Sequence, residues 1–141
     1  MKTSAQGIVL IKRHEGLRLK AYKCPAGVWT IGYGHTSGVR EGFVITEEEA
    51  TVFLKSDLRT AENTVNAALP TINQNQFDAL VSFVFNIGSG NFLKSTLLKK
   101  AKANPADATI QQEFLKWRLA GGKVLPGLEK RRKDEADLYF S

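Results

Sequence analysis

The stretch FDALVSFVFNIG, residues 77–88, constrains the fold of this chain more than any other feature, because it is apolar on nearly every side of a helix. Such a helix cannot lie on a surface and belongs in the centre of a core. Asn73 and Gln76 open it, and Gly88 closes it. Thr46 and Glu49 make a capping box ahead of Ala50, Phe53, Leu54, Leu58, Ala61 and Val65. Those steps of three and four residues predict one long helix that runs until Pro70 and is long enough to join two lobes. Three more helical stretches are expected at roughly 91–102, 106–119 and 126–139, separated by Asn104-Pro105 and Gly121-Gly122.

The N-terminal third is built differently. Ile8, Ile11 and Glu15 line one face of a short helix, so an acid follows the buried stripe. A carboxyl partly withdrawn from water holds its proton to higher pH, as a general acid must to protonate a leaving oxygen. Taken alone, a helix-end glutamate beside Gly16 is usually a solvated surface charge. A turn containing Pro25 and Gly27 follows, then the strand VWTIGYG, whose alternation puts Val28, Thr30 and Gly32 on one side and Trp29, Ile31 and Tyr33 on the other. Thr30 can therefore face a site while its neighbours pack. Gly32 and Gly34 leave room for close approach of a backbone or ligand. His35 reads as a hydrogen-bonded structural histidine, and no His, Cys or Asp cluster at ligand spacing surrounds it, so no metal and no cofactor are expected. Cys24 is the only cysteine, so the fold contains no internal disulfide.

HEGLRLKAYKCPAGVWTIGYGHTSG closely resembles the catalytic N-terminal region of the phage-type lysozymes, the endolysins of glycoside hydrolase family 24. Their signature is Glu, eight residues, Asp, five residues, Thr. Here those places hold Glu15, Cys24 and Thr30, so cysteine stands where most of the family has aspartate. The C-terminal half matches too: NQFDALVSFVFNIGSGNF resembles the family's core helix, and Trp117 to Glu135, with GGK and PGLEKRR, its closing segment. The resemblance implies an α+β, mainly helical, lysozyme-like fold: one catalytic domain over 1–141, with a small lobe of about 12–60 carrying the hairpin, and a helical lobe of about 61–141 plus the N-terminal helix. It further implies an inverting N-acetylmuramidase in which Glu15 is the acid and Cys24 and Thr30 position the attacking water. Gly32, Phe92 and Ser95 would bind the glycan, and His35 and Arg131 would support the site. Taken by position, Arg131 and Arg132 are a solvated basic helix surface, and Trp117 is core. Cys24 admits two roles: a thiol or thiolate that directs water, or a sulfur nucleophile, which would give retention of configuration.

A formal charge of +6 points to a polyanionic partner, and nucleic acid, anionic lipid and bacterial peptidoglycan all qualify, so charge alone does not choose among them. Residues 8–11, IVLI, are too short for a signal-peptide core or a membrane span. The resemblance then implies a monomer that waits in the host cytoplasm, reaches the periplasm through a holin-type permeabilised membrane, and lyses the host for phage release. Rival readings are a lytic transglycosylase, which forms 1,6-anhydro ends without water, a wall-binding protein weakened by loss of the aspartate, and a membrane-active C-terminal helix. A nucleic-acid binder leaves Glu15, the hairpin and the glycines unexplained, and no recognised binding motif is present.

Overall fold

The computed structural model describes residues 1–141. Its elements in chain order are α1 (Ala5–Glu15), β1 (Arg18–Lys23), β2 (Trp29–Gly32), α2 (Glu47–Asp57), α3 (Arg59–Ala68), α4 (Gln74–Ile87), α5 (Ser89–Lys94), α6 (Thr96–Ala103), α7 (Ile110–Leu115), β3 (Leu119–Ala120), β4 (Lys123–Val124) and α8 (Pro126–Tyr139). They form two compact units, one of residues 11–59 and one of residues 1–10 with 60–141. No helix is long and apolar enough to cross a membrane.

In the unit of residues 11–59, β1 and β2 pair antiparallel with Tyr22 opposite Thr30 and Lys23 opposite Trp29. Beyond Tyr22 the register shifts before Arg18 meets Gly32, an irregularity that bends the ribbon. The chain returns along β1, where Ala21 N–H donates to the Phe43 carbonyl and Ile45 N–H to that of Leu19. Helix α2 opens on the expected capping box of Thr46 and Glu49 and packs against β2.

In the other unit α4 is the central element and its Asn73–Gln76 capping box is formed. Phe77 to Val84 are all buried, and α4 packs chiefly on α8, which also meets α7. Phe83 is the hub, in edge-to-face contact with Phe92, Phe114 and Trp117. The N-terminus is tied to this unit: Ser4 donates to Asp78 through both its N–H and its hydroxyl, and Thr3 does the same to Glu62. Gly7 permits the approach, since a Cβ there would lie 2.8 Å from Asp78 Cγ.

Four expectations about helices need correction. The helix after Thr46 is interrupted at the fully buried Leu58, whose ψ of −14° tightens the turn and separates α2 from α3. The helix expected at 91–102 is two, because Ser95 is extended and its hydroxyl accepts from Leu98 N–H, capping α6. The helix expected at 106–119 shrinks to α7, because Asp107 accepts from both the N–H and the hydroxyl of Thr109 and holds a turn ahead of it. Gly121 and Gly122 do not merely separate helices: with φ of 57° and 78° they make the tight turn of a second hairpin, β3–β4.

Candidate active site

Glu15 is the last residue of α1, and Gly16, with φ of 74°, releases the chain from the helix. Its carboxyl is half-buried. A tight turn faces it: Ile31 and His35 exchange both backbone hydrogen bonds at 2.9 Å, and Gly32 and Gly34, both at positive φ, flank Tyr33 between them. A Cβ on Gly34 would sit 3.6 Å from Glu15 Oε1, so the missing side chain leaves the space beside the carboxyl open. Gly34 is therefore the glycine that matters for access to the acid. Gly32 has another task, because a Cβ there would lie 3.3 Å from that of Ala50 and would disturb the packing of α2 on β2. It is buried.

Cys24 ends the first arm of the hairpin. Its N–H donates to the Val28 carbonyl at 3.0 Å, and its carbonyl accepts from Gly27 N–H at 2.8 Å, so the turn is closed by the cysteine's own backbone. The thiol is held below its ordinary value by hydrogen bonds from the backbone of Val28 and then of Ala26; burial works weakly against them and the Thr30 hydroxyl with them. Donor groups near the sulfur favour the thiolate. Thr30 is buried, with Oγ1 donating to the Val28 carbonyl at 2.9 Å. A hydroxyl has one proton, so Thr30 satisfies either that carbonyl or the sulfur, and it keeps acceptor capacity in both states.

His35 is held by α2. Its Nδ1 is 2.8 Å from Asp57 Oδ2 on α2, and its ring stacks on Phe53 with centroids 4.3 Å apart.

The remaining sequence-derived site residues lie in the other unit. Phe92 is 0 % exposed and packs edge-on against Phe83, so its ring is core and has no face left for a sugar. Ser95 is buried, its hydroxyl donating to the Phe92 carbonyl at 2.7 Å and accepting from Leu98 N–H, so it is a helix cap. Arg131 and Arg132 do not form a solvated surface; both are buried. Arg131 donates to the Ser82 carbonyl at 3.2 Å and to Glu135 at 3.3 Å. Arg132 lies over the Phe83 ring and places Nε 2.7 Å from Glu135 Oε1, an ion-pair contact too bent to be a hydrogen bond. Ser82 completes the cluster by donating to Glu135 at 2.5 Å. Burial pushes the Glu135 carboxyl up, against the pull of Arg132 and Arg131. The spacing of Arg131, Arg132 and Glu135 on one helix, opposite a lone serine in an apolar helix, was the available signal for this cluster. No group of three or more His, Cys, Asp or Glu residues is placed to hold a metal ion.

An acid closing a helix beside a glycine-flanked turn, followed by a hairpin that carries Cys24 and Thr30, within a mainly helical α+β chain, defines a lysozyme-like protein. The chain belongs to the phage lysozyme family, whose model matches residues 12–135. It is 49 % identical over its whole length to an endolysin of Acyrthosiphon pisum secondary endosymbiont phage 1, of which it covers 99 %. It is 45 % identical to an endolysin of Bacillus phage B103, but spans only 55 % of that protein's length. Among solved structures, the muramidase domain of SpmX from Asticaccaulis excentricus superposes with a TM-score of 0.90 at 40 % identity, over 99 % of this chain and 98 % of that one.

Proposed function

We propose that Glu15, Cys24 and Thr30 form the hydrolytic centre of a peptidoglycan-degrading endolysin, a muramidase that cleaves the β-1,4 bond between N-acetylmuramic acid and N-acetylglucosamine. The observation that carries the proposal is Glu15 placed beside the open Gly34 turn, in the same unit as the hairpin that carries Cys24 and Thr30, in a chain of the phage lysozyme family. Glu15 gives its proton to the glycosidic oxygen as the bond from that oxygen to the anomeric carbon breaks. A water held by Thr30 and the Cys24 thiolate attacks the same carbon from the opposite face, and its proton passes to the sulfur. The configuration inverts, and the open space beside Gly34 admits the leaving sugar's oxygen to the acid. A lytic transglycosylase has no use for a base at the hairpin, which favours hydrolysis.

Access to the wall rests on family resemblance. The protein is a monomer held in the host cytoplasm until a separate holin-type partner permeabilises the membrane, after which it acts on peptidoglycan in the periplasm.

Nuclear magnetic resonance of the freshly released reducing end tests the mechanism. An α-anomer appearing first is expected; a β-anomer first would mean that Cys24 is a nucleophile. Cys24→Ala should lower turnover by about 10²- to 10⁴-fold, as loss of a general base does, while Cys24→Asp should retain most of it. Full activity in Cys24→Ala would remove the sulfur from the mechanism.

A further inference from the structure

The segment 43–45 is a short third arm beside β1, and its outer edge is free. Its inward groups are spent on β1: the Phe43 carbonyl accepts from Ala21 N–H, and Ile45 N–H donates to the Leu19 carbonyl. Val44, between them, stands opposite Lys20 in this ladder, so its own N–H and carbonyl point away from β1, and neither has a backbone partner. An unpaired edge of this kind is a template for one more strand. Val44 is also the most exposed large apolar residue of the chain, at 70 %. It lines a cavity of about 570 Å³, within the size range of ligand sites. Val39, Phe43, Ile45 and Phe53 make the walls apolar, and Glu49 supplies the cavity's one carboxylate. One Glu49 oxygen accepts from Thr46 N–H in the capping box, and the other is free. Glu41, Glu47 and Glu48, nearby in the chain, are exposed too, against two exposed bases, Arg40 and Lys20.

Edge, walls and charge together select the occupant. A free backbone edge takes an extended peptide, which donates to the Val44 carbonyl and accepts from its N–H. The apolar walls take one of its side chains. Glu49 takes a basic side chain two residues along, which strand alternation puts on the same face. An acyl chain would fill the cavity but leave the edge unpaired. We propose that a protein partner presenting an extended segment, with an apolar residue and a lysine or arginine two positions apart, adds as a strand along Val44 and fills this cavity. Ile31 and His35 line the cavity and also exchange the two backbone bonds of the turn that opens beside Glu15, so the partner rests against the back of that turn. This goes beyond the hydrolytic reading and is tested without turnover.

The probe is the peptide Thr-Leu-Thr-Lys-Thr, capped at both ends, titrated into the isotope-labelled protein and followed by amide shifts in nuclear magnetic resonance. Saturable shifts centred on Val44 and the lining residues are expected. The same peptide N-methylated at leucine cannot donate to the Val44 carbonyl, so it tests the edge with the protein unchanged. It should bind about fivefold more weakly, as loss of one hydrogen bond implies, and glutamate in place of lysine should weaken binding further. Val44→Pro removes the outward N–H but no ladder bond, as proline on an edge does, and should also bind about fivefold more weakly. Glu49→Gln keeps an oxygen for the capping box and should bind about threefold more weakly through loss of charge. Circular dichroism checks that both variants stay folded. Equal affinity for the N-methylated peptide, equal affinity for the glutamate peptide, or shifts that do not centre on the lining residues would overturn the proposal. So would Val44 shifts that grow with protein concentration alone, which would make the edge a contact between two copies, or shifts with phosphatidylglycerol vesicles and none with the peptide. A failure of the hydrolytic reading shows separately, as no release of reducing ends by the wild-type protein.

Discussion

Replacing Glu135 by glutamine tests whether the charge cluster under α4 and α8 is as dry as its geometry indicates. Glu135 and Arg132 are both fully buried, and the carboxylate accepts from Ser82, Arg131 and Arg132. Breaking a buried pair by removing one partner costs about 3–5 kcal/mol, because the remaining charge stays in a medium that solvates it poorly. Glutamine keeps one acceptor oxygen, so the hydrogen bond from Ser82 survives and the lower figure applies. A domain of this size melts lower by about 3 °C for each kcal/mol lost, so Glu135→Gln should melt about 10 °C below the parent in circular dichroism. The loss is a large share of a total stability of about 5–15 kcal/mol. The double variant Arg132→Met, Glu135→Leu removes both charges and should recover most of it, since an apolar pair of similar volume replaces an ion pair at little cost. A shift below about 2 °C for Glu135→Gln would refute the reasoning and mean that water reaches the cluster.

Gly7→Ala should destabilise by about 1–3 kcal/mol in the same assay, because its Cβ would meet Thr3 Cγ2 at 2.7 Å and Asp78 Cγ at 2.8 Å. Glu113 gives a pH signature: burial pushes its carboxyl up, but hydrogen bonds from Lys100 and Lys116 outweigh this and leave it below its ordinary value. A depressed carboxyl stabilises the fold above its unfolded-state value and loses that contribution as pH falls through the folded one. Glu113→Gln should therefore cost about 1 kcal/mol near neutrality, discounted because Lys116 is 65 % exposed, and less at about pH 3. An equal cost at both pH values would contradict the assignment. Alkylation of Cys24 by iodoacetamide should accelerate with a midpoint below that of a free cysteine peptide measured alongside, since hydrogen bonds from the Val28 and Ala26 backbone favour the thiolate; a midpoint at or above the peptide's would leave Cys24 an ordinary thiol in this site.

Much of the fold was legible because its signals are local. The capping boxes at Thr46 and Asn73 and the unbroken apolar character of 77–84 each settle an element within a few residues. The break at Leu58 was hidden because every residue around it is a tolerable helix former, and burial of Leu58 decides the turn. Ser95 reads as a helix residue until its hydroxyl is seen to cap α6, and position after a core helix does not tell a lining side chain from a packed one such as Phe92. Charged residues default to the surface, so Arg132 and Glu135 were invisible as core until their common partner Ser82 appeared. At the site, Glu15, Cys24 and Thr30 were readable from type and spacing. That Gly34, and not Gly32, opens the space beside the acid required the turn between Ile31 and His35.

Mass spectrometry of fragments released from purified peptidoglycan by the wild-type protein and by Glu15→Gln tests the central claim most directly. Hydrolysis with Glu15 as the acid predicts N-acetylmuramic acid reducing ends from the wild type and none from the variant. Fragments with 1,6-anhydro ends, or the same reducing ends from a folded Glu15→Gln protein, would contradict it.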